Sequence, residues 1–165
     1  MSAGTKEPMA DCCGAANGTQ QTPVGFCPSC GLKGKPVATL TVKNLVADHT
    51  RVPSDRLFSL CWTTECEVVY FFGKEVFRKS DLKVRVGFKE QQDPIPLCYC
   101  FGYDREDLRR EIEAQGASKI PDRIKAEVKA GFCACEVKNP AGSCCLGDVN
   151  RVAMDLRKSV FATRP

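Results

Sequence analysis

Cysteine is the residue that most constrains what this chain can fold into, because twelve of its 165 residues are cysteine and all of them stand in close pairs. The pairs are Cys12-Cys13, Cys27/Cys30, Cys61/Cys66, Cys98/Cys100, Cys133/Cys135 and Cys144-Cys145. Thiolates spaced this closely can bind one metal ion, and the single histidine of the chain leaves sulfur as the main donor. The sequence therefore predicts a metal-binding protein.

The alternative use of paired cysteines is a disulfide framework, which requires an oxidising compartment. Residues 1–25 contain no apolar core of a signal peptide, and no segment reaches the roughly 18 apolar residues that would span a membrane. We therefore expect a cytoplasmic protein with no membrane partner, whose thiols stay reduced and act as metal ligands.

The chain divides into three segments by composition. Residues 1–24 are rich in Gly, Ala, Thr, Gln and Pro, show no periodicity and are expected to form a disordered tail. Residues 25–92 have the alternation and the β-branched runs typical of strands, whereas residues 93–165 have helical spacing. The predicted fold class is α+β, with a small β-rich unit followed by a three-helix unit.

The strands and turns of the first unit follow from its pattern. Thr39–Val46 and Lys83–Val86 alternate in polarity and are predicted as strands. Glu67–Phe72 is predicted to pair with Val76-Phe77 in a hairpin around Gly73-Lys74.

Three helices are predicted in the second unit. Asp104 is the expected cap of a helix over about residues 105–115. A second helix runs from about Ile120 to Gly131, where glycine ends it. The third is predicted to begin near Asn139-Pro140, a capping residue followed by proline in the first turn.

The first candidate metal site combines two cysteine pairs of the β-rich unit. Cys27 and Cys30 are separated by two residues, and Cys61 and Cys66 by four. A C-x2-C turn points two sulfurs at one ion, and four sulfurs at about 2.3 Å complete the tetrahedron of structural zinc. Such a closed site leaves no position for water, so we expect zinc to stabilise the fold. Two alternatives stay open: Cys61 as a buried strand residue, and a DNA-binding zinc ribbon.

The second candidate site lies in the helical unit. Cys98 and Cys100 lie on one side of an extended C-x-C segment, and cysteine thiolates are the ligands of [2Fe–2S] clusters. Cys135 and Cys145 are the preferred other ligands, because Cys145 faces inward on the predicted third helix. The remaining alternatives are Cys133 with Cys144 as ligands, and a second zinc ion in place of the cluster.

Bound metal changes the meaning of the formal net charge of +4. Zinc in four thiolates carries a charge of about −2, and an oxidised two-iron cluster in four thiolates carries about the same. Together the two centres bring the net charge of the protein close to zero. The basic composition is therefore not evidence for a nucleic-acid partner.

Four motifs of the chain resemble the N-terminal domain of the CopZ-type copper chaperones. They are Cys66–Phe71, Val76–Lys79, Cys98–Gly102 and Asn139–Gly147. The resemblance implies a zinc site together with a [2Fe–2S] cluster whose fold is similar to the bacterioferritin-associated ferredoxins. By position it implies zinc at Cys27, Cys30, Cys61 and Cys66, and the cluster at Cys98, Cys100, Cys135 and Cys145. The family continues into a heavy-metal-associated domain with an M-x-C-x-x-C copper loop, and this sequence contains no such loop.

The predicted function is electron transfer linked to the handling of copper or other soft metals, with reduction of Cu(II) to the Cu(I) that chaperones carry. The expected partners are copper ions or a copper-handling protein, and an acidic redox partner that docks at Lys83, Arg85 and Lys89. The sequence shows no Ser-His or Cys-His dyad, so a redox and metal-binding protein is favoured over an enzyme. The alternative is a metal or redox sensor that binds a regulator or nucleic acid.

Overall fold

The computed structural model describes residues 25–162 of the chain. Within that range it contains five α-helices, a four-stranded antiparallel sheet and a two-stranded antiparallel hairpin. This arrangement confirms the predicted α+β class. The predicted tail of residues 1–24, which includes Cys12-Cys13, lies outside the described residues.

The four-stranded sheet is built from strands that are neighbours both in sequence and in space. They are β1 (Lys35–Val37), β2 (Phe58–Leu60), β3 (Val68–Phe72) and β4 (Glu75–Arg78), in the order β1-β2-β3-β4. The predicted hairpin of β3 with β4 is confirmed. Gly73 turns it with a φ of +54°, a left-handed conformation that glycine adopts at little cost.

Strand β3 is buried between two apolar clusters. Its register shifts between Val68 and Tyr70, and Val69 and Tyr70 both join the main core of the sheet. Val68 and Phe71 pack instead against buried cysteines of the first candidate site. The central part of the sheet therefore lies between a hydrophobic core and a cysteine-lined layer.

The prediction of a strand at Thr39–Val46 is wrong, because helix α1 spans Thr39–Leu45. Val42, Leu45 and Val46 all lie in the main core. Their spacing of three and four residues is that of one helix face, and it determines the structure in preference to the weaker alternation of the same segment.

The prediction of a strand at Lys83–Val86 is also wrong. Lys83 and Arg85 are exposed and Val86 is buried, as the alternation indicates. The backbone nevertheless forms no named strand there, and the chain continues into a single 3-10 turn at Gly87–Lys89. Alternating burial in this segment reflects a loop that packs on the core, without a neighbouring strand to pair with.

The C-terminal part of the described chain consists of a small hairpin and four helices. These are β5 (Pro96–Cys98), β6 (Tyr103–Asp104), α2 (Arg105–Gln115), α3 (Ile120–Lys129), α4 (Cys135–Lys138) and α5 (Leu146–Ala162). Asp104 caps α2 as predicted, since its carboxylate accepts the N–H of Asp107 at 2.9 Å. Leu108, Ile124 and Val149 meet in the core of this part.

The predicted third helix begins later than expected, at Leu146. The side chain of Asn139 accepts the N–H of Ala141 at 3.0 Å and donates to the carbonyl of Ser143 at 2.7 Å. Such bonds from asparagine to the nearby backbone compete with helix formation. The Asn-Pro pair therefore forms a turn, and Cys145 directly precedes the helix.

The cores of the two parts are distinct, but the parts touch. Two hydrophobic clusters take their buried residues from positions 27–86, and a third takes them from positions 98–149. The Thr41 hydroxyl donates to the carbonyl of Glu136 at 2.6 Å between the parts. The domain boundary at residues 92–93 stays a prediction. Among residues 25–162, no helix combines the length and the apolar character needed to cross a bilayer.

Candidate metal centres

The first group of cysteines converges as the sequence predicts. The sulfur atoms of Cys27, Cys30, Cys61 and Cys66 all lie within 4.8 Å of one another. The Sγ–Sγ distance is 3.9 Å between Cys27 and Cys66 and 3.6 Å between Cys30 and Cys61. Sulfurs about 2.3 Å from a tetrahedral zinc ion lie about 3.8 Å apart. This donor set therefore fits zinc.

Two different local structures carry these four cysteines. Cys27 and Cys30 belong to a tight turn, in which the N–H of Gly31 donates to the Cys27 carbonyl at 2.8 Å. Gly31 has a φ of +73°, which explains a glycine directly after the C-x2-C pair. Cys61 directly follows β2, and Cys66 precedes β3, so the sheet fixes the second pair.

The four thiols differ in their electrostatic surroundings. The hydroxyl of Thr63, 3.3 Å from the Cys30 sulfur, lowers the pKa of Cys30 to about 6. Burial raises the pKa of Cys27 to about 12 and also raises the pKa of Cys61. Metal binding requires thiolates, so the buried pair releases its protons when the ion binds.

A buried lysine lies beside the first group. Lys89 is 3% exposed, and its Nζ donates to the carbonyls of Thr63 at 2.7 Å and Cys66 at 2.9 Å. Burial lowers the pKa of Lys89, whereas the nearby thiols, Cys61 first, act in the opposite direction. The prediction that Lys89 belongs to an exposed docking face is therefore wrong.

The two other cations of that predicted face are exposed, and both bind within the chain. Lys83 Nζ donates to the carbonyl of Asn44 at 2.9 Å. Arg85 forms an ion pair with Glu90 at 2.7 Å and donates to the carbonyl of Gln92 at 3.0 Å. Both side chains therefore hold loops of this chain together.

The four predicted cluster cysteines also lie together. The sulfur of Cys100 is 3.6 Å from the sulfur of Cys135. Hydrogen bonding to Cys145 lowers the pKa of Cys98 to about 7 and the pKa of Cys135 to about 6, and the same bonds raise the pKa of Cys145. The contact of Cys100 with Cys135 joins the C-x-C segment to a cysteine of the other half of the group.

The second group is more open than the first. Within residues 25–162, the first group alone brings three or more ligand atoms within 4.8 Å of one another. A single zinc ion requires that close spacing. A two-iron cluster requires a wider one, because two cysteines bind each iron. Within the described residues the second group therefore lacks the compact spacing of the first, and the choice between a cluster and a second zinc ion stays a prediction.

The hairpin of β5 and β6 positions half of this group. Cys98 ends β5, and its carbonyl accepts the N–H of Gly102 at 2.9 Å. The N–H of Ala134 donates to the sulfur of Cys100 at 3.3 Å. Burial raises the pKa of Cys100 to about 11, and this N–H opposes that effect. No local pattern in the sequence indicates this contact, because it depends on how the loop before α4 folds back.

Burial distinguishes the preferred ligands of the other half from their alternatives. Cys135 and Cys145 are 7% and 4% exposed, whereas Cys144 is exposed and Cys133 is half-buried. Hydrogen bonding with Cys144 also lowers the pKa of Cys135, so the two sulfurs are neighbours. The choice of Cys135 and Cys145 stays a prediction, which their inward position favours.

Comparisons with known proteins support the zinc site. Residues 25–83, which include all four cysteines of the first group, match the CopZ family model described as a zinc binding domain. The chain is 38% identical over 128 residues to the copper chaperone CopZ of Archaeoglobus fulgidus. That alignment covers 76% of this chain and 60% of the relative, so the chain spans about three fifths of the relative's length.

A solved structure extends the similarity beyond the zinc segment. The X-ray structure of the N-terminal domain of A. fulgidus CopZ matches this structure with a TM-score of 0.64 and 36% sequence identity. The match covers 78% of this chain and 97% of the solved chain. It therefore includes more of the sequence than residues 25–83.

Proposed function

The chain belongs to the family of CopZ N-terminal domains, and from that premise we propose that it is a zinc- and [2Fe–2S]-binding electron-transfer protein that serves copper handling. The observation that carries the proposal is a second group of four thiols beside a complete zinc donor set. A role in fold stability alone would require only the first group. The wider second group supports a redox centre.

Zinc has a structural role in this proposal. Cys27, Cys30, Cys61 and Cys66 would hold the ion and join the turn at residues 27–31 to the end of β2 and the start of β3. Four protein ligands close the coordination sphere, and zinc has no redox chemistry of its own. The ion therefore fixes the sheet and takes no part in electron transfer.

Cys98, Cys100, Cys135 and Cys145 would hold the cluster. When bound, a [2Fe–2S] cluster supplies one-electron transfer, which is the change that reduces Cu(II) to Cu(I). Apolar side chains pack around Cys98, Cys100 and Cys145 and limit the access of water, and they include Leu97, Phe101 and Leu108. The N–H of Ala134 stabilises negative charge on the Cys100 sulfur and so favours the reduced state.

Copper ions or a copper-handling protein are the proposed electron acceptors, and a one-electron donor protein is the proposed reductant. Cys100 and Phe101 are half-buried, whereas Cys98 and Cys145 are buried. A partner therefore approaches the centre most closely on the side of Cys100. We place the exchange of electrons on this side.

A metal sensor that binds nucleic acid is the competing function. Nucleic-acid binding depends on cations that contact phosphates and therefore weakens steeply with salt. In this chain Lys83, Arg85 and Lys89 all donate to carbonyls of the chain itself. These contacts reduce the number of cations that are available to a phosphate backbone.

Anaerobic purification with metal and sulfide analysis tests the proposal. We expect about two irons, two sulfides and one zinc per chain, on the ligand numbers of the two centres. The reduced protein is then mixed with Cu(II) and a Cu(I)-selective chelator, and Cu(I) should form as the visible absorption returns to the oxidised spectrum. A colourless protein that contains zinc alone, or salt-sensitive DNA binding with no Cu(I) formation, would contradict the proposal.

A further inference from the structure

One short segment touches both candidate metal centres. Residues 85–89, here called the linking segment, contain the 3-10 turn Gly87–Lys89. At its C-terminal end the buried Lys89 donates to Thr63 and Cys66 carbonyls of the zinc loop, at 2.7 and 2.9 Å. Two bonds from one ammonium fix the direction of this side chain.

The other end of the linking segment holds the hairpin that carries Cys98 and Cys100. The hydroxyl of Tyr99, between these two cysteines, accepts the N–H of Gly87 at 2.8 Å and donates to the carbonyl of Arg85 at 2.9 Å. The linking segment therefore holds the C-x-C loop through the side chain of Tyr99, whose hydroxyl both accepts and donates a hydrogen bond.

The linking segment also packs tightly on the strand before the C-x-C loop. A Cβ atom added to Gly87 would lie 1.9 Å from the carbonyl oxygen of Pro96 in β5. A contact this close leaves no space for the two backbones to move toward each other. The backbones of the turn Gly87–Lys89 and of β5 are therefore in direct contact, which links a movement of one to the position of the other.

We propose that the linking segment couples the two metal centres, with Lys89 and Tyr99 as positioning residues, so that zinc binding orders the loop of Cys98 and Cys100. Zinc fixes the loop of Cys66, and that loop holds Lys89 in place. Zinc in four thiolates carries about −2, which also attracts the buried ammonium. The inference rests on the proposed function only in assigning the C-x-C loop to a cluster.

Hydrogen–deuterium exchange on the full chain tests this coupling without requiring a cluster. We compare zinc-loaded and zinc-free protein, and measure the amides of residues 97–102 against those of α2 (Arg105–Gln115) as an internal reference. Zinc should slow exchange in the loop about tenfold more than in α2, as expected when two hydrogen bonds are added to a local opening reaction.

Three variants make the test specific. Lys89→Met and Tyr99→Phe should each abolish the extra effect of zinc on the loop, whereas Lys83→Met, which removes an exposed lysine, should retain it. Tyr99→Phe keeps the ring and reports on the coupling if Lys89→Met does not fold. Equal slowing of the loop and α2, or an unchanged zinc effect in Tyr99→Phe, would overturn the inference. Iron and sulfide analysis of the same samples shows separately whether the proposed cluster is present.

Discussion

The hydroxyl of Tyr70, in the inner strand β3 of the sheet, donates to the carbonyl of Pro140 at 2.8 Å. Tyr70 is fully buried, and Pro140 belongs to the turn that leads to Cys144 and Cys145. This bond fixes the turn that precedes Cys144 and Cys145 to the core of the four-stranded sheet. The two parts of the described chain therefore meet at more places than the linking segment.

Tyr70→Phe should lower the free energy of unfolding by about 1 to 2 kcal/mol, because it leaves the Pro140 carbonyl without its partner. Urea denaturation of the zinc-loaded protein measures this change. Tyr103→Phe is the matched control, since Tyr103 is only half-buried, and it should cost less. If both variants lost the same unfolding free energy, the buried hydrogen bond of Tyr70 would contribute no more to stability than a half-buried hydroxyl.

Serine substitutions distinguish the cluster ligands from their neighbours. Cys135→Ser and Cys145→Ser should lose most of the iron and the visible absorption, because each removes a buried sulfur of the second group. Cys133→Ser and Cys144→Ser are the controls and should keep about two irons per chain. Iron and sulfide analysis after anaerobic purification measures the result. If Cys133→Ser or Cys144→Ser loses iron while Cys135→Ser or Cys145→Ser retains it, the assignment of the ligands is wrong.

Zinc removal should destabilise the protein. With free zinc at a hundred times its dissociation constant, the ion contributes about 2.7 kcal/mol, and this contribution disappears when a chelator removes it. Thermal denaturation with and without chelator measures the effect, and added zinc should reverse it. Cys27→Ser removes a ligand, so its stability should respond much less to the chelator. The same response in the wild type and the variant would refute a structural zinc site at Cys27.

Low pH should remove the contribution of an ion pair that joins the segment before β5 to helix α2. Asp93 contacts Arg105 at 2.8 Å and Arg109 at 3.1 Å, and its bond to Arg105 holds the pKa of Asp93 below its usual value. A depressed folded-state pKa gives stability above the unfolded value of about 3.9, and this stability is lost as pH falls through the folded value.

The variant Asp93→Asn isolates this effect. At pH 7 it should be less stable than the wild type, and the difference should shrink as pH falls below about 4. Asp55→Asn, at an exposed carboxylate, should change the stability by less than about 0.5 kcal/mol at any of these values. Chemical denaturation at a series of pH values measures the three proteins. If the difference in unfolding free energy between the wild type and Asp93→Asn did not change with pH, the stabilising role of the Asp93 carboxylate would be contradicted.

Cysteine spacing predicted the first metal centre because short-range geometry is almost sufficient there. The two residues between Cys27 and Cys30 allow only a tight turn, and Gly31 supplies its left-handed residue. The capped helix after Asp104 was predictable for the same reason, since a capping box depends on residues three positions apart.

The predictions that failed depend on contacts between distant residues. Thr39–Val46 carries both a period of two and a helical spacing, and packing of α1 on the sheet decides between them. Lysine is usually a surface residue, and only the folded loop of Thr63 and Cys66 supplies the carbonyl acceptors that allow Lys89 to be buried. The local pattern of Thr39–Val46 is ambiguous, and no local signal indicates the burial of Lys89.

Strand β3 is buried on both faces, with the main core on one side and a cysteine-lined cluster on the other. In many proteins a second layer of helices or strands would cover that side, at the expense of many more residues. Here the thiols of the first candidate metal site take the place of that layer beside Val68 and Phe71. Both side chains therefore line the candidate zinc site as well as belonging to the strand, and shortening either one should weaken zinc binding without changing a ligand.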